Sequence, residues 1–495
     1  MPTESTDSLL PLVAVTIPIV VAVLVVLSRR RPDVREGWTV VGAIATFGVM
    51  LSMLPALLDG RPHETMLLEL LPGVTFGFRA DGLGMLFAVS ASLLWILASV
   101  YAVGYLRGEG SHKQTRFFAS FAVCLSATFG LALAADLFTF LVFYELLTVA
   151  TYPLVVHKEN DEAIAAGRRY LSYLLTGGVA LLLAVAIVYA QVGTLAFTPG
   201  GFAAAGLSDG MLVAVFALMA LGFGTKSGIM PLHAWLPSAM VAPTPVSALL
   251  HAVAVVKAGV FGFARAIGFV LGPAALAEVG ATAALAALAA ITIVVASAIA
   301  LFQDNLKRRL AFSTIAHLSY IILGLSILAA EAWTGAMLHI ANHATLKITL
   351  FFAAGALHVQ AHLDRVRDLD GVGHRMPYTM SAFAVASVGL AGLPPMGGFM
   401  SKWFLVDGAF EAGDVVLGLI LLGSGLFTAG YLFPIVHRAF FRSPPEGAPR
   451  GDATPLMVVP LVITAALGLA LGLGDVLGFF EIAEGVSAGV VGGAP

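Results

Sequence analysis

Charge and cysteine are what this sequence lacks. Only 11% of its 495 residues are Asp, Glu, Lys or Arg, against roughly 25% in a soluble globular domain. Hydrophobic residues make up 59%. A chain so poor in charge cannot dress its surface for water, so most of it belongs in a lipid bilayer. The single cysteine, Cys124, excludes an intramolecular disulfide, and this chain alone cannot hold a thiolate zinc site or an iron–sulfur cluster. The net charge of −3 gives no reason to expect nucleic acid as a partner. A cleavable signal-peptide pattern is also missing. The apolar run Leu9–Leu27 has its arginines, Arg29, Arg30 and Arg31, after it rather than before. That flank order predicts a first transmembrane helix with its N-terminus outside.

Long apolar runs fill the rest. About 20 apolar residues cross a bilayer as a helix, and fourteen segments qualify: 8–28, 37–58, 81–104, 115–133, 135–156, 167–191, 210–232, 244–268, 278–300, 308–328, 332–358, 377–411, 415–440 and 454–474. The fold class expected is an all-α polytopic membrane protein. The mixed stretch 63–80 reads as a surface hairpin or loop, and the glycine-rich tail 477–495 is too small to be a domain. With alternating loops and the N-terminus outside, the inside loops hold 19 Lys or Arg and the outside segments three, Arg61, Arg79 and Arg265. That asymmetry supports the helix count and puts both termini outside. A bacterial or archaeal plasma membrane is the expected location.

The four basic residues left over are Lys226, Lys257, Lys347 and Lys402, all inside predicted spans. An intramembrane lysine costs about 2.5–3.5 kcal/mol at a helix centre, so four of the chain's seven lysines invite a functional reading. Lys226 lies in "GFGTKSGIMPLHAWLP" and Lys402 in "GLPPMGGFMSKWFL". In the first, Gly224, Gly228 and Pro231 weaken the helix; in the second, Pro394, Pro395, Gly397 and Gly398 do so. Broken backbone at membrane depth is tolerated where it is buried in protein or lines a watery cavity. Paired breaks in the seventh and twelfth spans, five apart, predict two inverted five-helix repeats, spans 4–8 and 9–13. The corresponding segments are 1–114 for the first three helices, 115–270 and 271–440 for the repeats, and 441–495 for the last helix and tail.

Glu145, near the centre of the fifth span, needs a partner to stay ionised there, and Lys226 is the expected one. Lys257 and His251 share the eighth span. His339, His343 and Lys347 follow one another at i, i+4 and i+8, making one polar stripe on an apolar helix. His317 on the tenth span extends it. The His339–His343 spacing also suits zinc, but no acidic third ligand accompanies it, so neither metal nor any other cofactor is expected. His233 sits in the seventh-span break. Asp136 opens the fifth span and Asp81 the third, where carboxylates suit helix N-termini. Arg169 begins the sixth span, as an inner-face anchor or reaching toward Glu145.

The segments "FYELL", "KSGIMPLHAWLPSAMVAPTPVSALLHA", "DNLKRRLAFSTIAHLSYI", "HIANHATLKITLFFAAG" and "GLPPMGGFMSKW" together resemble the proton-translocating antiporter-like subunits. That family embraces subunits of Mrp-type cation/proton antiporters, respiratory complex I and membrane-bound hydrogenases. The resemblance covers about residues 8–475. It implies fourteen helices, broken helices 7 and 12, and a central axis of proton-transfer groups: Glu145, Lys226, Lys257, His317, His339, His343, Lys347 and Lys402. A lysine on helix 12, and an end soon after helix 14, look like the D-type member of Mrp antiporters. The resemblance implies an ion-translocating subunit conducting H⁺, in Na⁺/H⁺ antiport, among other membrane subunits. A proton-pumping subunit of a redox complex is the alternative, and the only route to an enzyme classification. A solitary transporter for an organic solute is a third.

Overall fold

In lipid no water satisfies backbone N–H and C=O groups, so an apolar chain must close its hydrogen bonds within helices. The computed structural model describes residues 5–448 and 450–492, and the side chains among them except those of residues 250 and 251. Twelve helices among these residues are long and apolar enough to cross a membrane. Two further spans are interrupted. The eighth runs from Thr244 to Leu271 in four pieces, and the twelfth is Pro377–Ala391 followed by Gly397–Glu411. The expected fourteen spans are therefore present, and the protein is multi-pass.

Burial sorts the spans into layers. The tenth, Leu306–Ser326, and eleventh, Ala330–Ala361, are buried over the whole of their apolar windows and form the centre. The eighth is likewise buried at every described side chain. Spans 1, 2, 13 and 14 expose about two thirds of their apolar windows and form the rim. Exposed Val20, Val23, Val41, Leu419 and Leu426 are the lipid-facing side chains expected there.

The stretch 63–80 is a hairpin. Strands His63–Leu71 and Val74–Arg79 pair antiparallel around a turn at Gly73, whose φ of 75° favours glycine. A two-residue strand, Thr6–Asp7, pairs parallel to the first. So a three-stranded sheet interrupts the expected all-helical chain. Asp136 fastens it to the fifth span. One carboxylate oxygen accepts from the Thr139 N–H at 2.7 Å, capping helix Leu137–Val155, and the other from the Thr75 hydroxyl at 2.6 Å.

Three features depart from the sequence reading. Residues Phe479–Val491 of the tail form a helix packed on the third and eleventh spans. Arg265 is not a loop residue. It is fully buried in the eighth span and grips Asp81 through two hydrogen bonds of 2.5 and 2.8 Å, among the rings of Phe197, Phe261 and Phe269. Its charge is paired within the protein, so positive-inside counting does not apply to it. Third, the eighth span is itself broken. Leu249–Val253 is a π-turn, and Ala254, at φ −121° and ψ −80°, interrupts the helix three residues before Lys257.

Candidate functional site

The seventh span ends at Ser227. Gly228 then takes φ 73°, closing the helix as a left-handed cap. Helix termini leave carbonyls without partners, and here the Trp235 indole donates to the Thr225 carbonyl at 2.8 Å. The Met230 N–H is taken by the Thr292 hydroxyl at 3.2 Å. Pro231 lies in the exposed part of the loop, and Gly224 remains inside the helix, against Ile229. The twelfth span breaks in the same manner after Ala391, with Gly392 at φ 88°. Exposed Pro394 and Pro395 form the loop. Gly397 and Gly398 begin the second half-helix, where a Cβ would strike Asn342 and the Gly389 carbonyl respectively.

The two lysines stand on opposite sides of their breaks. Lys226 precedes the break in chain order and Lys402 follows it. Yet both lie at the C-terminal end of a first half-helix. Lys226 is in the last turn of Asp209–Ser227. Lys402 reaches back to donate to the carbonyls of Leu390 and Ala391, at 2.9 and 3.2 Å. A helix C-terminus carries partial negative charge, so each ammonium meets a favourable dipole where no carboxylate touches it.

Lys226 is buried and donates to the Tyr144 carbonyl at 2.6 Å, with its ammonium 3.3 Å from the centre of the Tyr144 ring. The direct partner is thus the residue before Glu145. No ion pair joins Glu145 and Lys226 among the described residues, though the two charges interact electrostatically. The Glu145 carboxyl packs against Gly178 of the sixth span, and its Oε1 is buried without a hydrogen bond. Arg169 does not approach it. It bonds Ser238 at 2.7 Å, and nine helical residues, about 13 Å, separate it from Gly178.

The eighth span closes tightly on the end of the seventh. At Gly259 a Cβ would lie 2.7 Å from the Phe223 carbonyl oxygen. Two residues earlier, Lys257 Nζ meets His343 Nδ1 at 3.0 Å. The eleventh-span stripe then fans out to different neighbours. His339 Nε2 lies 3.2 Å from His317 Nδ1, and its Nδ1 lies 2.8 Å from the Ser401 hydroxyl, next to Lys402. His317 and His343 have ring centres 5.6 Å apart. Lys347 donates to the Ser313 hydroxyl at 2.7 Å, and Ser313 continues to Tyr431 at 2.8 Å. Lys402 Nζ is 5.0 Å from the Tyr320 ring, which packs on His317 at 4.7 Å. Lys257, His317, His339, His343 and Lys347 are all at most 1% exposed. His233 stands apart, in the wall of a cavity that Arg169, Lys307 and His358 also line. His251 is among the residues whose side chains lie outside the description.

Sequence reasoning missed Tyr144, Ser313, Ser401, Tyr320 and Tyr431. Serines in apolar helices carry little signal, because each can return its proton to its own helix, and a tyrosine there reads as packing. The described residues contain no group of three or more His, Cys, Asp or Glu able to hold a metal.

A set of buried lysines and histidines, several of them in mutual contact inside a multi-pass helical bundle, defines the class: a membrane protein with protonatable groups in its core. Comparison with known proteins names the family. Residues 134–428 match the family described as NADH:quinone oxidoreductase/Mrp antiporter, transmembrane, and the chain belongs to it. The N subunit of NADH-quinone oxidoreductase from Desulforudis audaxviator is 33% identical over 90% of this chain and 89% of its own length. A probable K⁺/H⁺ antiporter protein of Rhizobium meliloti, its A/B subunit, is 34% identical over 81% of the chain, which spans only 40% of that relative. A chain of the Mrp complex from Dietzia sp. DQ12-45-1b superposes with a TM-score of 0.88 at 22% identity, covering 98% of this chain and 97% of that one.

Proposed function

We propose that this chain is the H⁺-conducting membrane subunit of a multisubunit cation/proton antiporter of the Mrp type, exchanging H⁺ for Na⁺. The buried contact series from Lys257 through His343, His317 and His339 to Ser401 and Lys402 carries the proposal. Its hydrogen-bonded links, Lys257–His343, His317–His339 and His339–Ser401, span 2.8–3.2 Å, as direct proton transfer needs, and the steps from His343 to His317 and from Ser401 to Lys402 call for a bridging water. A proton entering from one face reaches Lys226, whose charge state depends on Glu145. It passes along the series to Lys402 and leaves on the other face. Residues 115–270 and 271–440 act as inverted repeats, each contributing one helix broken at glycine and proline. The assembly lies in a bacterial or archaeal plasma membrane with both termini outside.

The test is Glu145→Ala in the assembled complex. Transport is expected to stop while the complex still forms, because Lys226 loses the carboxylate that balances it. Wild-type exchange of Na⁺ for H⁺ by that variant would end the proposal.

One observation favours a second reading. The relative matched over nearly its full length belongs to a quinone oxidoreductase, so the same axis could serve redox-driven pumping. Co-purifying subunits separate the two. Small membrane companions alone support antiport, whereas iron–sulfur proteins support the redox complex.

A further inference from the structure

At the inner face a cavity of about 700 Å³ opens between the two halves of the chain. Arg169, His233 and Ser238 line it on one side, and Lys307, His358 and Asp364 on the other. It therefore reaches the break of the seventh span, where His233 has a buried Nδ1 without a partner among the described residues. It also reaches the inner end of the eleventh span, the helix bearing His339, His343 and Lys347.

His358 is held by two carboxylates. Its Nδ1 lies 2.9 Å from Asp364 Oδ1 and its Nε2 lies 3.7 Å from Glu109 Oε1. Lys158 is 3.7 Å from the same Glu109 oxygen, and Lys307, whose ammonium donates to the Ala242 carbonyl at 3.0 Å, is the other cation facing the cluster. Tyr105 of the third span stacks on the imidazole, with ring centres 6.5 Å apart. Burial alone would raise the Glu109 carboxyl, but His358, Lys158 and Ser111 together hold it down at about 2. The His358 hydrogen bond holds the Asp364 carboxyl below its ordinary range. Both acids therefore stay ionised, which leaves the imidazole as the member of the cluster that titrates on the alkaline side.

From the cluster a polar line leads inward. The Thr244 hydroxyl meets the Tyr105 hydroxyl at 3.4 Å. One turn further along the eighth span, the Ser247 hydroxyl is buried with no partner among the described residues. The same span carries Lys257. An orphaned buried hydroxyl on the span that carries Lys257 is a place for a bridging water.

We propose that this cavity is a common inner vestibule for both halves of the axis, and that His358, clamped by Glu109 and Asp364, is the group that exchanges protons between it and the eighth span. The proposal rests on the reading of the axis above. It names where protons are exchanged with the inner side.

The test uses the whole complex in sealed vesicles, with H⁺ flux measured against inner-side pH for His358→Gln, Asp364→Asn and Lys257→Ala. His358→Gln is expected to slow flux about tenfold on the alkaline side and to leave it near wild type in acid, where free protons are abundant. Asp364→Asn, which keeps the imidazole but removes one of its two carboxylates, is expected to move the alkaline limb to lower pH. It keeps the test open should His358→Gln fail to assemble. Wild-type rates and pH profiles for both variants, with Lys257→Ala inactive, would overturn the vestibule alone. Full flux in Lys257→Ala would overturn the axis reading itself, and the vestibule with it.

Discussion

Lys257 and His343 share a hydrogen bond of 3.0 Å across 86 residues of sequence. If the lysine is an ammonium it can only donate, so Nδ1 of His343 must accept and the ring proton must sit on Nε2. That Nε2 is buried and has no partner among the described residues. A proton passed from Lys257 to Nδ1 would make the ring a cation with its second N–H directed onward. In the proposed pathway the pair would serve as a relay whose two states differ by one short transfer.

Either half of this relay is useless without the other. Lys257→Ala and His343→Ala are each expected to reduce H⁺ flux at least about a hundredfold, and the double variant to be no worse than either. Flux in vesicles containing the assembled complex checks this. Additive losses would mean that the residues act separately.

Gly178 makes room for the Glu145 carboxyl, whose Oε2 would lie 2.8 Å from a Cβ placed there. Gly178→Ala should displace the carboxyl. The expected result is reduced transport with a stability loss of about 1–3 kcal/mol, read as a lower melting temperature of the complex. Unchanged flux would show that the position of Glu145 is not critical.

The Arg265–Asp81 pair should be costly to split. Arg265 is fully buried and the Asp81 side chain only 22% exposed. Removing one partner of a buried pair typically costs about 3–5 kcal/mol. Asp81→Asn should lower the melting temperature by more than Asp59→Asn does, since Asp59 pairs with Arg61 at the surface. Differential scanning fluorimetry of the two variants decides it.

Acid should loosen the inner face. Glu109 is held at about 2 in the folded chain, below the ordinary value near 4.3. A depressed carboxyl stabilises the fold above its unfolded value, and that contribution fades as pH falls from about 5 toward 2. Glu109→Gln should therefore flatten the acid limb of a plot of melting temperature against pH. An acid limb identical to that of the wild type would contradict this assignment.

The legible parts of the molecule were those with a local cause. Glycine and proline marked the breaks of the seventh and twelfth spans, helical spacing aligned His339, His343 and Lys347, and the carboxylates Asp81 and Asp136 marked two helix starts. The illegible parts depend on packing between distant segments. Nothing around Ala254 predicts the break there, because no glycine or proline causes it. The partner of Lys226 is a backbone carbonyl, an atom every residue possesses. Arg265 resembled a loop charge until Asp81, 184 residues away, came beside it.

The eighth span has a consequence for how the protein is made. In the finished molecule its described side chains, Lys257 and Arg265 among them, are shielded by the rest of the bundle. The ribosome delivers it before the tenth and eleventh spans exist. Until those arrive, Lys257 has no His343 to meet and one face of the helix borders lipid, at a cost of about 2.5–3.5 kcal/mol for the lysine alone. The first half of the chain, made alone, therefore lacks the contacts that shelter Lys257 in the finished molecule.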